Sequence, residues 1–270
     1  MKVVIIIPVY KPELNKLEII SIKSIRTAFV NRDICFVGSF GLDFSAYLAY
    51  IPNAKVITFR TKYFKNITGY NQLLLSKFFY SKFYPEYEYI LIFQLDAYIF
   101  KDNLDYWCST GYDYIGAPVY NFYLDKFNPN KFECETLNGG FSLRKTASFI
   151  KVLNSFHFIY PFKDVFKANK KKLGFFGIFK AIYFFFRCNN TFHLFNRYDR
   201  NEDMFWAIIV PLRFHWFKKP NPKEAACFSI DNKPEICYFL NNKLPMGCHG
   251  INKHTYFWKK YIKDLDESED

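Results

Sequence analysis

Residues 89–100 read YILIFQLDAYIF. A continuous apolar run from Tyr89 to Phe93 leads to a single carboxylate, Asp96, two residues beyond Gln94. Tyr98 stands where a second acid would make a metal-binding pair. An unbroken apolar run of this length is the pattern of a strand buried on both faces, so we expect a strand over 89–95. In open α/β sheets, ligands bind beyond the carboxyl ends of the strands. Asp96 therefore lies where it would meet solvent, a metal or a ligand; capping the next turn explains it equally well. On a regular strand Gln94 shares a face with Asp96, placed to support that carboxylate or to touch a ligand.

The same kind of run recurs. Residues 3–9 (VVIIIPV), 34–37 and 54–59 read as strands, and 112–117 as a strand ending at Gly116-Ala117-Pro118. Between them, 14–30 has helical spacing through Leu17, Ile20, Ile22, Ile25 and Phe29, and 71–84, 145–153 and 202–210 also read as helices. A short strand is expected at 141–143 and a polar loop over 121–135. Strand–helix alternation with continuous apolar strands predicts an α/β fold: a mostly parallel central sheet with helices on both faces. Residues 162–192 form an aromatic and basic helical insertion, and 261–270 an acidic tail, of which 264–270 is expected to fray.

The chain of 270 residues, half of them hydrophobic, suffices for one large domain. Its net charge of +12 favours anionic partners. Nucleic acid is not expected among them, since there is no zinc-ligand spacing, no RNP-like strand and no basic recognition helix. Seven scattered cysteines without a CxxC point to a reducing, cytoplasmic compartment. No apolar run reaches transmembrane length, and Pro8 with the lack of a small-residue cleavage site favours a first strand over a signal segment.

Three further motifs carry chemistry. Residues 137–144 read LNGGFSLR; adjacent glycines before a strand mean close backbone approach to a ligand or, more commonly, a tight turn. Residues 201–205 read NEDMF; Glu202 and Asp203 at a helix start either complement the helix dipole or supply a general base. Residues 245–250 read PMGCHG; His249 is either structural or a ligand for a divalent metal.

The order of these motifs resembles that of a glycosyltransferase of the GT-A fold. More closely, it resembles an uncharacterised bacterial family assigned to that fold. There a central strand carries Gln-x-Asp, followed by a Gly-Ala-Pro strand, an Asn-Gly-Gly-Phe-Ser-Leu-Arg block and a Glu-Asp pair. The resemblance runs from Val3 to His249 and excludes the aromatic insertion. It implies a single catalytic domain over 1–260, with a nucleotide-binding half (1–118) and an acceptor-binding half (119–260). It further implies transfer of a sugar from a nucleotide-sugar donor, UDP-linked, to a hydroxyl of a surface glycan or lipid-linked glycan.

By the same resemblance, Pro8, Val9 and Tyr10 pack on the base, and Thr68, Gly69, Tyr70 and Asn71 add uridine or ribose contacts. Asp96 matches the first acid of an Asp-x-Asp metal motif. Asn138, Gly139 and Gly140 line the sugar pocket. Asp203 is the base of an inverting displacement, with Glu202 binding acceptor or orienting that base, and His249 is a late metal ligand. Tyr98 departs from the pattern, because a phenol is a poor ligand at neutral pH. Three readings follow: Asp96 and His249 hold Mn²⁺ or Mg²⁺ with phosphate and water completing the shell, Lys or Arg neutralises the leaving diphosphate, or the site is a non-catalytic carbohydrate-binding remnant. The first is preferred, because a departing diphosphate needs positive charge where negative charge develops.

Residues 169–187 read NKKKLGFFGIFKAIYFFFR. The apolar stretch is too short to span a bilayer, while its basic flanks suit a helix lying on an anionic membrane surface. The expected location is cytoplasmic, peripheral on the inner membrane face. Packing on the domain, or an oligomer contact, would also account for the rings.

Overall fold

The computed structural model describes residues 1–119, 136–174, 176–194, 198 and 200–268; the polar loop expected at 121–135 lies outside them. The apolar runs become strands β1 (Val3–Pro8), β2 (Asp33–Ser39), β3 (Lys55–Phe59), β4 (Tyr89–Phe93), β6 (Tyr114–Val119) and β7 (Thr136–Lys145), ordered β3-β2-β1-β4-β7-β6 in one sheet. The pairs β2–β3, β1–β2 and β1–β4 are parallel, and β7 alone runs against its neighbours. The sheet is thus mostly parallel, as expected.

Alternate residues of the central strands feed cores on both faces. Val4, Ile6, Ile90 and Ile92 join one cluster with Leu73, Phe149 and Trp206; Val3, Ile5, Tyr89 and Leu91 join the other with Ile22 and Ile25. The helix Lys16–Ala28 opens with a capping box between Asn15 and Glu18, which satisfies two otherwise orphaned backbone donors. Two elements differ from expectation. The helix expected at 71–84 is two short helices, Ile67–Leu74 and Lys77–Tyr80, each with its own cap, Asn66 and Ser76. Strand β7 is ten residues long, so Asn138-Gly139-Gly140 lies inside a strand rather than in a turn.

A small second sheet, β5-β9-β8, is built from β5 (Tyr98–Ile99), β8 (Ser229–Ile230) and β9 (Gly247–Cys248). It is backed by a third cluster containing Ile251, Phe257 and Trp258. The tail does not fray through its described length. Ile262 and Leu265 are buried in this cluster and 263–268 form a 3₁₀ turn, because apolar side chains interrupt the acidic ones.

Candidate active site

Strands β1 and β4 lie side by side at the sheet centre, where the strand order changes direction. This is the switch point at which α/β sheets open a crevice. The segments leaving them, Pro8-Val9-Tyr10 and Gln94-Leu95-Asp96, wall a cleft of about 570 Å³. Tyr10 meets Tyr70 nearly edge-on at 5.7 Å and Phe64 at 5.8 Å, giving the cleft an aromatic side; Lys11, Lys65 and Asn66 add polar groups. Such a slot suits a flat heteroaromatic ring joined to an anionic group. Thr68 and Asn71 fall outside the cleft lining. Thr68 is exposed. Asn71 is committed elsewhere: its Oδ1 accepts from the Glu202 N–H at 3.3 Å and its Nδ2 donates to Asn201. Both residues lie on the helix Ile67–Leu74, which turns Tyr70 toward Tyr10 instead.

The small sheet assembles the next layer. Strands β8 and β9 are parallel, with Ile230 opposite Cys248, so the residues that follow them, Asp231 and His249, emerge together. Strand β5 is antiparallel to β9, with Tyr98 opposite Cys248, and the Ile251 N–H donates to the Asp96 carbonyl at 2.9 Å. His249 is consequently clamped at both ring nitrogens. Nδ1 lies 3.0 Å from Asp231 Oδ1, and Nε2 lies 3.0 Å from both Asp96 Oδ1 and Gln94 Oε1. Burial works against the imidazolium, but its hydrogen bonds to Asp231 and Asp96 outweigh this and push His249 up to about 9. Burial alone would raise Asp96; contact with His249 and the nearby Lys253 hold it below the usual carboxylate range.

The donor set fits a divalent cation at Asp96 and His249 once the Nε2 proton is displaced, with imidazole and carboxylate presented together and Asp231 orienting the ring through its far nitrogen, as metal-bound histidines commonly are. Among the described residues no group of three or more His, Cys, Asp or Glu could hold a metal, so at most two protein ligands come from this set. Tyr98 supplies none. Its ring packs on Phe100 at 5.1 Å and against the third cluster.

The two glycines explain how the layers meet. A Cβ on Gly140 would lie 2.1 Å from His249 Nε2, and one on Gly139 would lie 2.6 Å from Glu202 Oε1. The bare backbone is thus threaded between the histidine and the acid pair; close approach, not a turn, requires the glycines. The half-buried Asn138 side chain accepts from the Gly140 N–H at 2.7 Å through its Oδ1. Asp203 Oδ2 accepts from the Gly139 N–H at 3.2 Å, and Oδ1 from its neighbour Met204. Burial pushes Asp203 above the ordinary aspartate value, against these bonds.

Of the two roles expected for Glu202, binding acceptor or orienting the base, its contacts favour the second. It is buried and ion-paired with the fully buried Arg144, Nη2 to Oε1 at 2.7 Å and Nη1 to Oε2 at 3.0 Å. Burial pushes Glu202 up to about 7. Burial also opposes the charge on Arg144, but Glu202, Tyr80 and Tyr114 hold that guanidinium well above its ordinary value. The forked geometry decides for the ion pair. Glu202 is therefore a brace for the strand–helix junction and not a free acid for an acceptor.

The sequence model of a protein family of unknown function, DUF5672, matches residues 53–249. The chain belongs to this family. No curated protein matches it. This DUF5672 chain is similar in structure to mouse xyloside xylosyltransferase 1 in its apo form, at 10% identity and TM-score 0.50, covering 92% of this chain and 96% of that one. It is also similar to the galactosyltransferase LgtC in complex with donor and acceptor sugar analogues, at 11% identity and TM-score 0.50, covering 98% and 95%. At such identity the likeness shows the fold, which this DUF5672 chain shares with GT-A glycosyltransferases.

Arg144 and Asp231 were not singled out by sequence reasoning. Asp231 carries a weaker form of the signal at Asp96, an acid just beyond a strand, here the two-residue Ser229–Ile230. Arg144 sits within LNGGFSLR but looks like any strand-end cation until its partner is known.

Proposed function

We propose that the protein transfers a sugar from a nucleotide-sugar donor, UDP-linked, to a hydroxyl of a glycan or lipid-linked glycan of the bacterial surface. The observation that carries this is the Asp96–His249–Asp231 arrangement at the edge of an aromatic-walled cleft, with the Gly139-Gly140 backbone between it and Asp203. The base and ribose sit among Pro8, Val9, Tyr10, Phe64 and Tyr70. The diphosphate lies toward Asp96, with Lys65 and Lys253 as cations near the cleft. A bound Mn²⁺ or Mg²⁺, held by Asp96 and His249, would supply positive charge for the leaving group.

Asp203 takes the proton of the acceptor hydroxyl, whose oxygen displaces the nucleoside diphosphate with inversion. Its burial favours this role, since a base works best with its pKa moved toward the working pH. Arg144 and Glu202 hold the segment that carries it.

The test is UDP release from a panel of UDP-sugars with Mn²⁺ and candidate acceptors, beside calorimetric titration of UDP with Mn²⁺ and with EDTA. Turnover with metal-dependent UDP binding is expected. UDP binding without turnover of any donor would favour a non-catalytic carbohydrate-binding role, a reading to which the diverted Tyr98 lends some support.

A further inference from the structure

The insertion folds as a helical hairpin, Phe162–Leu173 followed by Phe176–Cys188. Its helices pack closely at Gly177, where a Cβ would meet the Asn169 carbonyl oxygen at 2.3 Å. Val165, Ala181 and Cys188 are buried, and Phe158 stacks on Phe185 at 4.3 Å, tying the hairpin to the body. A different face of the second helix is left in solvent. Phe176 is 80% exposed, Phe179 65%, Tyr183 64% and Phe186 63%. At about 100° per residue these four fall within an arc of about 80°, roughly opposite the buried Gly177, Ala181 and Cys188. Lys180 and Arg187, both exposed, border the stripe on one side.

The first helix is complementary in character. Lys163, Lys167, Lys170 and Lys171 are exposed and share its outer face. The hairpin holds seven basic residues against one acid, Asp164. Large rings on one face, bordered by cations whose long stems reach outward, are the composition of a helix lying in a membrane interface. No helix among the described residues is long and apolar enough to cross a membrane. A second copy of the chain is a poor occupant, because a symmetric contact would set two strongly basic hairpins against each other.

We propose that the hairpin Phe162–Cys188 docks the protein on an anionic lipid bilayer, its aromatic stripe entering the acyl boundary and its lysines meeting the headgroups. The proposal is independent of the sugar-transfer reading, because it concerns a surface apart from the cleft.

The experiment is co-sedimentation of the full-length protein with vesicles of phosphatidylcholine alone or with phosphatidylglycerol. Binding is expected only to the anionic vesicles, and it should weaken with salt. The fourfold variant F176S/F179S/Y183S/F186S should lose at least tenfold in affinity while keeping the wild-type circular dichroism spectrum. Lys170→Gln should lose about fivefold. In a second measurement, the indole emission introduced by Tyr183→Trp should shift to the blue on vesicle addition and be quenched by brominated lipid. Equal binding by the fourfold variant, or no shift in the emission of the Tyr183→Trp variant, would overturn the proposal. A concentration-dependent dimer in sedimentation velocity that the fourfold variant abolishes would also overturn it, by assigning the stripe to a second copy.

Discussion

Asp231 Oδ1 lies 3.0 Å from His249 Nδ1, joining two residues 18 apart in sequence. The contact leaves Nε2 as the ring nitrogen that faces Asp96 and Gln94. Asp231→Ala is therefore expected to weaken Mn²⁺-dependent UDP binding by about tenfold to a hundredfold. Calorimetric titration of the variant with and without Mn²⁺ checks this. Unchanged affinity would leave the contact a purely structural one.

Asp203→Asn should abolish transfer while sparing donor binding, seen as unchanged UDP affinity with lost turnover. The pH dependence follows from the direction of the Asp203 shift. A base must be unprotonated to act, and burial raises this carboxyl above the ordinary aspartate value. Activity should therefore fall on acidification at a higher pH than a solvated aspartate would give. A kcat/KM profile whose acid limb lies at or below the usual aspartate range would remove Asp203 as the titrating base.

Glu202→Ala strands a fully buried guanidinium. The expected loss is about 3–5 kcal/mol of folding stability, read from urea unfolding. Glu202→Gln should cost less, since the amide oxygen still accepts from Arg144. A fully stable Glu202→Ala protein with impaired acceptor kinetics would favour acceptor binding, the other of the two roles expected from sequence.

Gly140→Ala places a methyl carbon on the His249 imidazole, 2.1 Å from Nε2 before any adjustment. The ring has little room to yield, being held by Asp231 on its other side. We expect metal-dependent UDP binding to fall at least tenfold. Gly139→Ala meets Glu202 and Arg144 instead, and should lower the unfolding temperature more than it changes UDP affinity. Comparing the two variants by thermal unfolding and titration separates the roles of the adjacent glycines.

The chain's own pattern determined a good deal. The apolar runs at 3–9, 34–37 and 89–95 specify strands buried on both faces, the run at 54–59 specifies the half-exposed edge strand β3, and their alternation with amphipathic segments specifies the mostly parallel sheet. Both signals are local, because side-chain periodicity and continuous hydrophobicity are read within a few residues. Asp96 and Gln94 were legible for the same reason: polar side chains at the end of a buried strand stand out. Tertiary structure decided the rest. Nothing near Asp231 announces His249, and nothing near Glu202 announces Arg144, 58 positions earlier. Tyr98 occupies the place of a second acid, yet its ring belongs to the small sheet's core. These partnerships arise from packing across long separations, β8 beside β9 and β7 against the short helix Glu202–Met204, where geometry, and not spacing along the chain, chooses which charges meet.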